Sequence, residues 1–78
     1  MTNHSFLKSQ ANLAANVKRR RLSLGLSQEE LALRAGIDRT YASQIERAIA
    51  NPSLAIICSI ADEIGCEAED LLQMPSLK

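Results

Sequence analysis

Apolar residues recur along the chain at helical spacing, and no segment sustains the alternation of a strand. Leu13, Val17 and Leu24, with Ala14 beside them, mark the buried side of a first helix that stops at Gly25. Ser27-Gln28-Glu29-Glu30 has the form of a capping box. The Ser27 hydroxyl can accept from the Glu30 amide while the Glu30 carboxylate reaches back. A second, short helix follows through Leu31, Ala32 and Ala35 and stops at Gly36. Asp38 is a good cap for a third helix, with Ile37, either Tyr41 or Ala42, and Ile45 on its buried side. Asn51-Pro52-Ser53 reads as a turn and cap. The fourth helix then carries Leu54, Ile57, Ile60, Ala61 and Ile64 on one stripe, with Ile56 widening it, up to Gly65. A last short helix spans about 67–73, has acids in its first turn, and is closed by Pro75.

The pattern predicts an all-α compact bundle of five helices. Residues 1–8 are expected to form a flexible N-terminal arm, 9–74 the folded domain, and 75–78 a tail. At 78 residues the chain has room for one small core, which excludes multi-domain enzymes and large cofactor folds. Phe6 and Tyr41 are the only aromatic residues, too few for a base-stacking platform on single-stranded nucleic acid. No apolar run approaches a membrane span, and residues 1–8 lack the apolar core of a signal peptide. Cys58 and Cys66 have no cysteine or histidine at metal spacing, so both read as buried free thiols in a reducing cytoplasm.

The net charge of zero conceals an asymmetry. Residues 8–51 hold eight basic side chains against four acidic ones, whereas residues 52–78 hold Lys78 against five acids. A basic half of this kind can engage phosphate while the acidic half faces away.

Two short helices joined by a tight turn make a helix-turn-helix, whose second helix enters the DNA major groove. Arg39, Thr40, Ser43, Gln44 and Arg47 fall at i, i+1, i+4, i+5 and i+8 of the third helix, one continuous face on which every side chain can hydrogen-bond. Arg pairs with guanine O6 and N7, Gln with adenine N6 and N7, and Thr offers a methyl to thymine. The same spacing also fits an ordinary solvated face. Lys18, Arg19 and Arg20 form a further basic cluster, either solvated or attracting phosphate at long range. An enzyme is excluded. His4 is the only histidine, the carboxylate pairs sit at helix starts, and the glycines act as helix stops rather than as a phosphate loop.

The runs Leu24–Ala32, Ala35-Gly36-Ile37, Tyr41–Arg47 and Asn51–Leu54 resemble the Cro/C1-type (Xre-like) helix-turn-helix family, over roughly residues 13–72. Within it, the short chain and Asp38-Arg39-Thr40-Tyr41 are most similar to controller proteins of restriction–modification systems. The resemblance implies a lambda-repressor-like DNA-binding fold and a transcription regulator acting on double-stranded DNA. Such a regulator takes no cofactor, metal or small-molecule ligand. By position, it implies base reading by Arg39, Thr40 and Gln44, and backbone contacts by Gln28, Ser43, Arg47 and Asn51. Tyr41 matches a position that either packs on the core or touches the backbone. Arg21 and Glu46 match a partly buried structural ion pair. Ala48, Ile49 and Ala50 depart from the family, where many relatives carry Gly, Lys or Arg.

One recognition helix reads too few base pairs to find a genomic site, so a homodimer on a palindromic operator is expected. Ile49, Ile56, Leu71, Leu72 and Met74 exceed the needs of a small core and are the expected dimer interface. Activation would require contact with RNA polymerase, for which Asp62 and Glu63 are the candidate patch. The competing reading is a protein-binding module, an antitoxin or adaptor, favoured by the neutral charge and the apolar Ile49.

Overall fold

Local side-chain caps start four of the five helices in the computed structural model, which describes residues 3–75. The elements are α1 (His4–Ser23), α2 (Gln28–Ala35), α3 (Arg39–Glu46), α4 (Leu54–Ile64) and α5 (Ala68–Leu72), and the described residues hold no strand. Ser27 Oγ accepts from the Glu30 amide at 3.0 Å while Glu30 Oε1 accepts from the Ser27 amide at 2.8 Å, closing the expected capping box. Asp38 accepts from the Tyr41 amide, and Ser53 from the Ile56 amide, at the starts of α3 and α4. Gly36 closes α2 in the left-handed region, at φ 75°, where a Cβ would be strained.

The expected flexible arm needs correction. Helix α1 begins at His4, not after residue 8. Asn3 Oδ1 accepts from the Phe6 amide at 2.7 Å and caps the additional turns. One turn further on, Gln10 Nε2 donates to the Ala50 carbonyl at 2.7 Å, so this end is tied to the α3–α4 connection. Met1 and Thr2 of the expected arm, and residues 76–78 of the expected tail, lie outside the described residues.

Each helix sends one fully buried side chain to a common centre: Val17, Leu31, Ile45, Ile60 and Leu71. Burial of such a side chain is worth about 1.5–3 kcal/mol, and five of them meeting there lock the helices to one another. Around this centre α2 packs on α3 and α4, while α1 packs on α3 and α5. Ala42 is the buried residue at the start of α3 and Tyr41 is half-buried against the core, which settles the alternative left open by spacing.

Four apolar assignments change. Leu71, expected at a dimer interface, is 0% exposed and belongs to the core. The five-residue α5 turns the first of its two leucines inward and leaves Leu72 half-buried. Leu24 and Leu54, expected on buried stripes, are 53% and 69% exposed. Leu24 is already the C-cap of α1, and Leu54 is the first residue of α4, where the chain has not yet reached the core. Cys58, expected buried, is exposed, while Cys66 is half-buried; both are free. Burial pushes the Cys66 thiol pKa up.

A polar clamp not anticipated from the pattern fixes α5. The buried Asn16 of α1 donates from Nδ2 to the carbonyls of Leu71, at 3.0 Å, and Gln73, at 2.7 Å. Asn12, one turn earlier, donates to the Leu72 carbonyl at 3.0 Å. The last carbonyls of a helix have no partner within it, so two α1 side chains supply the missing donors.

Candidate nucleic-acid interface

The capping box of α2, the left-handed Gly36 and the Asp38 cap of α3 together bring the start of one short helix beside the start of the next. Between them lies a groove of about 220 Å³ lined by Gln28, Arg39, Thr40 and Ser43. Gln28 is the first residue of α2, and the other three come from the first turn and a half of α3. The lining therefore offers a guanidinium, a carboxamide and two hydroxyls, a set dominated by hydrogen-bond donors. Such a groove can hold a phosphate oxygen or the edge of a base. The guanidinium fork matches two acceptors at once.

A buried ionic network lies at the back of this groove. Glu46 Oε2 accepts from Arg21 Nε at 2.6 Å and Glu46 Oε1 from Arg21 Nη2 at 2.9 Å, a bidentate pair. The side chains are 9% and 2% exposed for Arg21 and Glu46. Arg21 Nη1 also donates to the Leu26 carbonyl at 2.8 Å, so one guanidinium joins α1, the α1–α2 turn and α3. The hydrogen bond to Glu46, ahead of its negative charge, raises the Arg21 pKa against the lowering effect of burial. Gln28 Nε2 donates to Glu46 Oε1 at 3.1 Å, linking the groove wall to this network. Nothing in the linear sequence signals that last contact, because Gln28 and Glu46 belong to different helices.

The other expected site residues are placed differently. Gln44 and Arg47 follow Thr40 and Ser43 by one turn and extend the same side of α3 past the groove. Arg47 is exposed at the C-cap of α3, and Gln44 is half-buried. The Tyr41 ring packs against the core. Asn51 lines a different depression, an apolar groove shared with Phe6, Leu13, Pro52, Ile57 and Leu72. Arg19 and Arg20 lie near Cys66, as do Glu67, the N-cap of α5, and Asp70 in its first turn. Arg34, Arg39 and Arg47 are exposed and supply the positive charge of the α2–α3 half.

Residues 17–71 match the helix-turn-helix family model. A Neisseria hypothetical transcription factor, from Neisseria meningitidis serogroup B, is 45% identical over 65 residues, covering 83% of this chain and 61% of that protein. This chain thus spans less than two thirds of that relative's length. The solved structure of the hypothetical transcription factor NHTF from Neisseria matches with a TM-score of 0.85 at 41% identity, over 90% of this chain and 79% of the other. The control protein C.SmaI of Serratia marcescens is 34% identical over 73 residues, covering 94% of this chain and 87% of that protein. The structure of the restriction-modification controller protein C.AhdI from Aeromonas hydrophila matches with a TM-score of 0.76 at 34% identity, over 80% of this chain and 94% of the other.

Proposed function

The chain belongs to the helix-turn-helix family, in its Cro/C1 (Xre-like) group of DNA-binding transcription regulators, and from that premise we propose that it reads a specific palindromic operator as a homodimer. The observation that carries this reading is the groove shared by Gln28, Arg39, Thr40 and Ser43. A regulator needs donors for base edges beside donors for the backbone, and this groove holds both kinds. Arg39 and Thr40, with Gln44 beyond them, are the proposed base readers. Gln28, Ser43 and Arg47 are the proposed backbone contacts, and Asn51 is a more distant one.

Two copies are needed because a single recognition helix covers too few base pairs. Ile49 and Met74 are exposed and remain available for pairing, and Leu54 is a further exposed apolar residue. Ile56 and Leu72 add partly exposed edges. The similarity to C.SmaI and C.AhdI extends the proposal to control of a restriction–modification operon. If the protein activates transcription, the exposed Asp62 and Glu63 of α4 are the surface offered to RNA polymerase.

The test is selection from a random duplex pool, followed by fluorescence anisotropy on the enriched duplex and a scrambled one across a salt series. A preference of about a thousandfold with two chains per site supports the proposal, and the salt slope counts the phosphate contacts. Absence of any enriched sequence sinks it. Capture of a protein partner that is unaffected by Arg39→Ala would then favour the protein-binding module.

A further inference from the structure

The Glu46 carboxylate does more than neutralise Arg21. Its Oε1 accepts from both Arg21 Nη2 and Gln28 Nε2, at 2.9 and 3.1 Å. An ionised carboxylate only accepts hydrogen bonds, whereas a carboxamide has one end that donates and one that accepts. A Gln28 amide turned by half a rotation would set its own Oε1 against a carboxylate oxygen, which is repulsive. Glu46 therefore selects one of the two amide orientations. In that orientation Gln28 Oε1 and the second Nε2 hydrogen have no protein partner among the described residues. Gln28 is also the groove wall facing Arg39, Thr40 and Ser43.

We propose that Glu46 is a positioning residue for DNA recognition: through its hydrogen bond to Gln28 Nε2 it presets the Gln28 carboxamide at the mouth of the α2–α3 groove. This rests on the DNA-binding reading given above. Glu46 touches no DNA; its 2% exposed side chain lies behind the groove. Arg21, held by the same carboxylate, keeps Glu46 in place, so α1 contributes to recognition through two hydrogen bonds in series. Presetting matters because a free glutamine loses rotamer entropy when it binds, and an amide fixed beforehand has already lost it.

A double-mutant cycle on the duplex enriched from a random pool tests this. Gln28→Ala is expected to weaken binding about tenfold, the loss of one hydrogen bond to a charged phosphate. Glu46→Gln is expected to weaken it by a similar factor in the native background and by almost nothing in the Gln28→Ala background. Because Glu46→Gln leaves Arg21 unpaired and can compromise folding, the pair Arg21→Met with Glu46→Leu is run alongside it. This pair removes both charges together, and its binding loss is likewise expected to vanish when Gln28 is absent. The Gln28 side-chain amide resonances provide a readout that a purely structural ion pair would leave in place. They are expected to move toward free-glutamine positions when Glu46 is replaced. Additive losses in the cycle, or Gln28 resonances unmoved by loss of Glu46, overturn the proposal alone. Failure of the native protein to bind any enriched duplex overturns the DNA-binding reading, and this proposal with it.

Discussion

Arg21 of α1 and Glu46 of α3 form a bidentate ion pair, 2.6 Å at its shorter contact, with both side chains almost wholly withdrawn from water. A buried charge that loses its partner keeps its desolvation cost and gains nothing in return. Glu46→Leu alone is therefore expected to cost about 3–5 kcal/mol of stability, whereas Arg21→Met with Glu46→Leu costs much less. Urea unfolding of the three proteins measures this. Equal destabilisation of the single and the double variant would show that the pair contributes net stability rather than mutual neutralisation.

Asn16 is the second buried polar anchor, and its role is to hold α5. Asn16→Leu keeps the branching at Cγ but removes both donors, leaving the Leu71 and Gln73 carbonyls without their partners. The expected cost is about 2–3 kcal/mol, with faster amide exchange concentrated in residues 68–74. Exchange that rises evenly along the whole chain would show that α5 is not selectively loosened.

The helix boundaries were readable because caps are local. Ser27 with Glu30, Asp38 with Tyr41, and Ser53 with Ile56 all act over three residues, and the chain order displays them. The start of α1 has an equally local cap, Asn3 with Phe6, but the contact that ties its first turns to the bundle lies outside its own segment. Gln10 finds its acceptor at Ala50, forty residues away. Leu71 escaped because five residues are too few for periodicity to separate a core leucine from an interface leucine. The α3 side of the groove was legible for Arg39, Thr40 and Ser43, which helical spacing alone puts together. The wall supplied by Gln28 is joined to them only by the packing of α2 on α3, and the link from Gln28 to Glu46 depends on the same packing.

Ala48 follows α3 with φ 58°, the left-handed region where a Cβ is crowded. It is the only described residue other than glycine in that region. The strain of about 1–2 kcal/mol for an L-residue exceeds the entropy that glycine would add to the unfolded chain. Ala48→Gly is thus expected to stabilise the protein by about 0.5–1 kcal/mol, read from the shift of the thermal midpoint. A lowered midpoint would contradict this account of the turn.

The Glu30 carboxylate is held below its ordinary pKa of 4.5, first by the Ser27 backbone amide and then by the Ser27 hydroxyl. A folded-state pKa below the unfolded one means that the charged form stabilises the fold. That contribution is complete above the unfolded value and is lost as pH falls through the lower, folded value. Glu30→Gln retains a capping side chain without the charge. The stability difference between the native protein and Glu30→Gln is expected to be constant near neutrality and to shrink as pH drops below 4.5. A difference that stays flat down to acid unfolding would mean that the charge plays no part in the cap.

The central claim is that DNA enters the groove between α2 and α3. The most direct measurement is a nitrogen–proton NMR titration of the native protein with its enriched duplex, repeated with Arg39→Ala. The account predicts the largest shifts at Gln28, Arg39, Thr40, Ser43 and Gln44, with Asp62 and Glu63 unmoved. Arg39→Ala should weaken binding by about ten- to a hundredfold, the range expected for one base-reading arginine. Shifts centred on α4 and α5, or binding indifferent to Arg39, would contradict it.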